Sequence, residues 1–292
     1  MDTFREITAK MPKEVSVLLD QIPDAVIAEV EEIRLRTGQK ILLRCRSGER
    51  YLNCIMKPQD LQQTLNQLIQ YSFYAYEDDI AKGFVTIGGG HRVGICGRMV
   101  AKNGQPAMIK EISSLNIRFA REIRGCSKKI MKDILENGHP VNTLIISPPG
   151  CGKTTLLRDL ARELSESGFQ VGICDERSEI AGMHQGKPGF HLGSRCDVLD
   201  GCEKAWGIPM LIRSMAPQVI LTDEIGRPED IPAVMQCLAS GVALITTIHG
   251  SSMEDVMRSA IGSLVERKVF RRYVYLTGRG GAGTVEEVVC DA

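Results

Sequence analysis

A lysine and a threonine follow directly after a glycine-rich turn in the segment TLIISPPGCGKTTLLRDLAREL, which begins at Thr143. The apolar run before the turn predicts a buried strand and the stretch after it an amphipathic helix, which is the context that a phosphate-binding loop requires. Glycines let the backbone curl so that its amides face phosphate oxygens, and the start of a helix adds partial positive charge. The residues expected to bind nucleotide are Ser147, Pro148, Pro149, Gly150, Cys151, Gly152, Lys153, Thr154 and Thr155.

Within this loop, two side chains have distinct expected roles. Lys153 is predicted to reach the β- and γ-phosphates, and the hydroxyl of Thr154 to occupy one Mg²⁺ position. The position of the first glycine in the usual motif holds Ser147. That position serves a tight turn rather than a phosphate contact, so we expect the serine to be tolerated.

Two adjacent carboxylates end a second apolar run, VILTDEIG. Asp223 is predicted to hold the metal, directly or through water, and Glu224 to orient or deprotonate the attacking water. The sequence contains no NKxD motif for reading a guanine base. We therefore predict an enzyme that hydrolyses ATP with Mg²⁺.

Polar residues also follow two further predicted strands. The segment VGICDERSEI supplies Asp175, Glu176 and Glu179, and ALITTIHG supplies His249. Since ligands collect at the carboxyl ends of parallel strands, Glu176 is a candidate metal ligand and His249 a candidate sensor of the γ-phosphate. An acidic turn that caps a helix, and a structural histidine, are the alternative interpretations.

Apolar β runs alternate with amphipathic helices after Gly125, which favours a parallel sheet covered by helices. We predict a RecA-like α/β domain over residues 125–292, preceded by a small α+β domain over residues 1–124. The predicted strands of the second domain are Thr143–Ser147, Gln170–Asp175, Val219–Asp223, Val242–Ile248 and Val269–Leu276. The predicted helices are Lys153–Glu166, Met210–Met215, Pro228–Ser240 and Met253–Arg267.

Composition excludes several classes of protein. The 292 residues include 36 Lys plus Arg and 36 Asp plus Glu, so no global field favours nucleic acid or an anionic membrane. No segment reaches the roughly 18 consecutive apolar residues of a membrane helix. The 10 cysteines contain no CxxC pair, and the N-terminus lacks the apolar core of a signal peptide. We expect a reduced, cytoplasmic protein without a membrane span.

The four strand-end motifs, in this order, resemble the traffic ATPases of bacterial type II and type IV secretion. A closer resemblance, to the stage III sporulation AA proteins of endospore-forming Firmicutes, is carried by EIRLRTGQ, GFVTIGGGHRVGICGR, PPGCGKTTLLRD, CDERSEIAG, MLIRSMAPQVILTDEIG and TTIHG. This resemblance implies a mother-cell ATPase that works as a homo-oligomer, expected to be a hexamer. It also implies membrane-embedded channel proteins of the sporulation complex as partners.

The resemblance further implies roles for arginines. Arg213 matches an arginine of the secretion ATPases and is a candidate catalytic residue, and Arg195 lies in a nearby loop. The candidates for an arginine supplied by the N-terminal domain, from a neighbouring subunit, are Arg92, Arg98, Arg118 and Arg121.

Two alternative functions remain open at this point. RecA-like rings also move nucleic acid, and a nucleotide-gated scaffold would bind ATP with little turnover. Aromatic residues hardly interleave with the basic segment between residues 110 and 132, so the sequence contains no strong signal for nucleic-acid binding.

Overall fold

The computed structural model describes residues 2–102 and 104–291. These residues form two compact units. The first contains the chain up to Arg121 together with His184–Gly189, and the second contains Glu122–Met183 and the chain from Phe190 onward. The division into two domains at residues 124 and 125 stays a prediction.

The first unit is built on an antiparallel sheet. Its helices and strands are α1 (Asp2–Thr8), α2 (Lys13–Asp20), α3 (Asp24–Ile27), β1 (Val30–Arg36), β2 (Lys40–Cys45), β3 (Gly48–Ile55), α4 (Pro58–Leu68), α5 (Glu77–Ala81), β4 (Phe84–Ile87), β5 (His91–Lys102) and β6 (Gln105–Arg118). The strand order is β3-β2-β1-β6-β5-β4. Apolar side chains from the sheet and from α1, α2 and α4 form its core.

The second unit alternates strands with helices. Its elements are β7 (Leu135–Glu136), β8 (His139–Pro140), β9 (Thr143–Ser147), α6 (Lys153–Glu166), β10 (Val171–Asp175), β11 (Cys196–Asp200), α7 (Lys204–Met215), β12 (Val219–Glu224), α8 (Ile231–Ala239), β13 (Ala243–His249), α9 (Met253–Arg258), α10 (Gly262–Glu266), β14 (Arg272–Thr277) and β15 (Thr284–Cys290).

Seven strands of this unit form one sheet in the order β11-β10-β12-β13-β9-β14-β15. All neighbours pair in parallel except β14 and β15, which are antiparallel. Every residue of β9 and of β10 is buried, as expected of strands covered on both faces. The predicted α/β class with a mainly parallel sheet is confirmed.

Three predicted helices have different bounds in the structure. One is α8, which spans Ile231–Ala239 rather than Pro228–Ser240. Helix α7 begins at Lys204 rather than Met210, although it contains Gly207 and Pro209. A Cβ atom at Gly207 would lie 2.5 Å from Sγ of Cys174, so close packing requires the glycine that weakens the sequence signal. The predicted helix Met253–Arg267 is two helices, because Ser259 has an extended backbone.

Two strands of the seven-stranded sheet escaped prediction, as did the two-residue strands β7 and β8. Strand β11 pairs in parallel with β10, and β15 is the antiparallel edge beside β14. Both lie at the edges of the sheet, where their residues are half-buried or exposed and form no continuous apolar run. Across residues 2–102 and 104–291, no helix has the length and apolar character needed to cross a bilayer.

Candidate functional site

The carboxyl ends of four neighbouring strands bring the predicted motifs together. His249 at the end of β13 lies opposite Ser147 at the end of β9, and Glu224 at the end of β12 lies opposite Thr247 of β13. Strand β10, which ends at Asp175, is the next strand beyond β12. Parallel pairing therefore places the four motifs along one edge of one sheet.

The phosphate-binding loop runs from this edge into α6. Gly150 and Gly152 have positive φ values of 80° and 89°, and α6 begins at Lys153. Ser147 does not share this left-handed conformation, and its hydroxyl donates to the carbonyl of Pro148 over 2.9 Å. The loop therefore accommodates serine where the usual motif has glycine.

Lys153, His249 and Glu224 form a chain of contacts at the mouth of the loop. Nζ of Lys153 lies 2.8 Å from Nδ1 of His249, and Nε2 of His249 lies 3.1 Å from a carboxylate oxygen of Glu224. An ammonium group has only donors, so Nδ1 of His249 accepts and its Nε2–H donates to Glu224. The contacts thus select one neutral tautomer of His249.

Lys153 also donates to two backbone carbonyls, those of Ser147 at 3.3 Å and Pro148 at 3.5 Å. Burial lowers the pKa of the Lys153 ammonium, and the nearby Glu224 carboxylate opposes that shift. A triphosphate that binds here would exchange the carbonyl partners for phosphate oxygens, which are stronger acceptors for an ammonium group.

A second ion cluster lies further along the same edge, and sequence reasoning missed its central residue. Nζ of Lys204 lies 2.7 Å from Asp223 and 2.5 Å from Glu176, and only 4% of Lys204 is exposed. Arg227 contacts the other carboxylate oxygen of Glu176 at 3.2 Å. The sequence did contain one signal for Lys204, because a lysine lies in the first turn of a helix that follows the end of a strand.

The pKa values in this cluster reflect burial and ion pairing in opposition. Burial raises the pKa of Asp223, and the Lys204 ammonium only partly offsets the shift. For Glu176 burial also acts upward, but the hydrogen bond to Lys204 and the positive charges of Lys204 and Arg227 together outweigh it, so the pKa is lowered. Both carboxylate oxygens of Glu176 are ion-paired, whereas Asp223 pairs with Lys204 through Oδ1. A role for Glu176 as a metal ligand stays a prediction.

The fit of these residues to Mg²⁺ can be judged from their chemistry. Among the described residues, no group of three or more His, Cys, Asp or Glu side chains has the arrangement of a metal site. Mg²⁺ in nucleotide sites needs only one or two protein oxygens beside phosphate and water. The Thr154 hydroxyl and the Asp223 carboxylate are hard oxygen ligands of this kind, so they fit a metal that arrives with a nucleotide.

Asp175 organises the acidic segment after β10. Its buried carboxylate accepts hydrogen bonds from the backbone amides of Glu179, Ile180 and Ala181, at 2.9, 3.0 and 2.8 Å. Burial raises its pKa to about 6, although these amides act in the opposite direction. For Asp175 the structure therefore shows a turn-forming carboxylate.

The two candidate arginines of the second unit lie away from the phosphate-binding loop of the same chain. Helix α7 begins at the carboxyl edge with Lys204, and Arg213 is exposed about 13 Å further along its axis. Arg195 is exposed directly before β11, at the amino edge of the sheet. Neither is brought together with Lys153.

The four arginines of the first unit have partners within that unit. Arg92 stacks on the ring of Phe84, Arg98 pairs with Glu111 at 3.2 Å, Arg118 pairs with Glu32 at 3.4 Å, and Arg121 donates to the carbonyl of Val30 at 2.7 Å. The side chain of Arg118 is 60% exposed, whereas its partner Glu32 is buried and also pairs with Arg34 at 2.8 Å.

Comparison with known proteins places the chain in a family. The family described as "Sporulation stage III, protein AA" matches residues 4–291. The chain belongs to this family. The stage III sporulation protein AA of Bacillus subtilis (strain 168) is 43% identical over 292 residues, covering 98% of this chain and 94% of the relative. The Arabidopsis thaliana protein SEEDLING PLASTID DEVELOPMENT 1 is 27% identical over 264 residues, which cover 86% of this chain and 36% of that protein.

Solved structures show the same fold at low sequence identity. The pilus retraction motor PilT with bound ADP has a TM-score of 0.65 at 14% identity, covering 92% of this chain and 81% of PilT. The ATPase DotB of Legionella pneumophila has a TM-score of 0.56 at 17% identity, covering 89% of this chain and 75% of DotB. This member of the family thus has the RecA-like P-loop fold of such ATPases, which confirms the predicted fold and resemblance.

Proposed function

We propose that this protein is a Mg²⁺-dependent ATPase that hydrolyses ATP to ADP and phosphate. The observation that carries the proposal is the chain of contacts from Lys153 through His249 to Glu224 at the end of the phosphate-binding loop. It unites a phosphate-binding cation with a carboxylate that can act on water, as hydrolysis requires.

The phosphate-binding loop and the first turn of α6 bind the nucleotide. The amides between Gly150 and Thr155 face the phosphates, and the N-terminus of this 14-residue helix adds partial positive charge. Lys153 transfers its hydrogen bonds to the β- and γ-phosphates.

The chemical step is the task of Glu224, assisted by His249. A carboxylate oxygen of Glu224 accepts a proton from the attacking water while the oxygen of that water forms a bond to the γ-phosphorus. The bond from the γ-phosphorus to the bridging β-phosphate oxygen breaks, and ADP leaves. His249 holds Glu224 through its Nε2–H and orients the carboxylate. Thr154 and Asp223 would hold Mg²⁺, which when bound would supply positive charge against the charge that develops on the leaving ADP.

The assembly proposed for this ATPase is a homo-oligomer, with a hexamer as the expected state. Of the two candidate arginines in the second unit, Arg195 lies at the amino edge of the sheet and Arg213 well along α7, so neither lies beside Lys153 of the same chain. A cation that acts on the transferred γ-phosphate is worth about 10³-fold or more in phosphoryl transfer. We assign that role to Arg118 or Arg121 of a neighbouring subunit. Family membership supports a role in sporulation, in the mother-cell cytoplasm, with membrane-embedded channel proteins as partners.

The deciding experiment compares Lys153→Ala with the parent in calorimetric titrations of ATP and in turnover assays. We expect the variant to lose ATP turnover and most of its ATP affinity, and the exposed-lysine control Lys129→Ala to match the parent. Full activity and unchanged ATP affinity in Lys153→Ala would overturn the assignment of the loop.

The shared site has its own test. Specific activity should rise with protein concentration, and mixing inactive Lys153→Ala chains with inactive Arg118→Ala or Arg121→Ala chains should restore part of the activity. A monomer with ATP in ultracentrifugation, a constant specific activity and no rescue on mixing would reject the model.

A further inference from the structure

A second glycine-rich turn lies beside the phosphate-binding loop. It joins β14 to β15 and spans residues 278–283, with the sequence GRGGAG, and we refer to it as the β14–β15 turn. Strand β14 pairs in parallel with β9, and Tyr275 lies opposite Ile146. The end of β14 therefore reaches the same edge of the sheet as Ser147.

The β14–β15 turn packs directly against the phosphate-binding loop. The amide of Gly283 donates to the carbonyl of Cys151 over 2.8 Å. A Cβ atom at Gly152 would lie 2.2 Å from the nitrogen of Gly283, and a Cβ atom at Gly278 would lie 3.7 Å from Sγ of Cys151. Both ends of the turn thus contact the loop, which admits only glycine at Gly152.

One cationic side chain projects from this turn. Arg279 is exposed, and its backbone amide donates to the hydroxyl of Thr277 over 3.2 Å. In the part of the chain that the structure describes, its guanidinium has neither an ion pair nor a hydrogen bond. A guanidinium matches phosphate oxygens with two parallel N–H donors, so a phosphate group is a suitable partner.

We propose that Arg279 is a nucleotide-binding residue that contacts the phosphates shared by ATP and ADP. This inference rests on the proposed function, because it takes the phosphate-binding loop as the nucleotide site. In this proposal the β14–β15 turn forms a second side of the nucleotide site, beside the phosphate-binding loop.

The order of the strands indicates which phosphates Arg279 meets. Glu224 and His249 lie on β12 and β13, on one side of β9, whereas β14 lies on the other side. Arg279 therefore approaches the nucleotide from the side opposite the attacked γ-phosphate. A contact of this kind is made equally in the ground state and the transition state, so it contributes to affinity and not to kcat.

The test measures calorimetric affinities of the full chain for ATP and for ADP, with Mg²⁺, in the parent, Arg279→Ala and Arg279→Lys. Arg271→Ala is the matched control, because Arg271 is also exposed but adjoins the opposite end of β14 and pairs with Glu136. We expect Arg279→Ala to weaken the binding of both nucleotides by about tenfold, the scale of a charge-assisted hydrogen bond. Arg279→Lys should recover part of the loss, and kcat at saturating ATP should stay within about twofold of the parent.

The outcomes separate this inference from the proposed function. Parent-like affinity of Arg279→Ala for both nucleotides, while Lys153→Ala still abolishes binding, would overturn the role of Arg279 alone. A loss confined to ATP or to kcat would overturn its placement on the shared phosphates. A parent that binds neither nucleotide would overturn the proposed function itself.

Discussion

Two ion clusters occupy the same edge of the sheet and differ in their access to solvent. The side chains of His249 and Glu224 are 44% and 40% exposed, whereas those of Lys204 and Asp223 are 5% and 12% exposed. Groups that exchange partners and protons with a substrate need access. Buried charges need fixed partners, because desolvation makes an unpaired one very costly. The exposed cluster is thus suited to chemistry and the buried cluster to holding Asp223 in place.

Removal of the central cation should have the largest effect on stability. Lys204→Met leaves the buried Asp223 carboxylate without its counter-charge, beside Glu176, which keeps only the exposed Arg227 as a partner. We expect the free energy of unfolding to fall by about 3 to 5 kcal/mol, measured with urea. An unchanged unfolding curve would show that the buried cluster does not depend on Lys204.

A substitution in the exposed cluster should lower turnover and leave stability unchanged. Glu224→Gln keeps the size of the side chain but removes the base, so we expect turnover to drop by about 10²-fold or more with ATP binding retained. The control Glu254→Gln changes an 82% exposed carboxylate of α9 and should behave as the parent. Parent-like turnover in Glu224→Gln would place the base elsewhere.

The raised pKa of Asp175, next to Glu176 of the buried cluster, predicts that the stability of the fold depends on pH. Burial raises its pKa to about 6 in the folded state, from the ordinary value of 3.8 for an aspartate, so between these pH values the folded protein binds the proton more tightly than the unfolded chain. The contribution to the free energy of unfolding therefore falls as pH rises from about 4 to about 6, by about 2 to 3 kcal/mol.

Urea unfolding of the parent and Asp175→Asn across this pH range tests the contribution of Asp175. The difference in unfolding free energy between parent and variant should decrease with pH and level off above about pH 6. A difference that is constant or increases with pH would contradict the raised pKa.

The smallest effect is expected at the rim of the buried cluster. Arg227 contacts Glu176 with a side chain that is 54% exposed, so its ion pair is largely solvated. Arg227→Ala should lower the free energy of unfolding by less than about 1 kcal/mol. A loss as large as the one expected for Lys204→Met would show that solvent exposure does not explain the difference between the contacts that Arg227 and Lys204 make with Glu176.

Much of the fold followed from local sequence patterns. The continuous apolar run of β9, the glycines of the phosphate-binding loop and the alternation of strands with helices together indicated the parallel sheet. Periodicity was less informative where packing overrides propensity, as in α7, whose start at Lys204 lies six residues before the predicted one and whose Gly207 is required by contact with Cys174. Edge strands β11 and β15 were also missed, because their partly exposed residues form no continuous apolar run.

The sequence by itself determined the candidate phosphate-binding loop and the carboxylates of Asp223 and Glu224, because these groups lie next to one another along the chain and obey local rules of strand, turn and helix. Only the tertiary structure decided the partners. Lys204 pairs with Asp223 and with Glu176, which lies 28 residues away along the chain, and the β14–β15 turn packs on Gly152 from far beyond it in sequence. Such contacts depend on strand order and register, which bring distant residues to one edge of a sheet and are not encoded in any single segment.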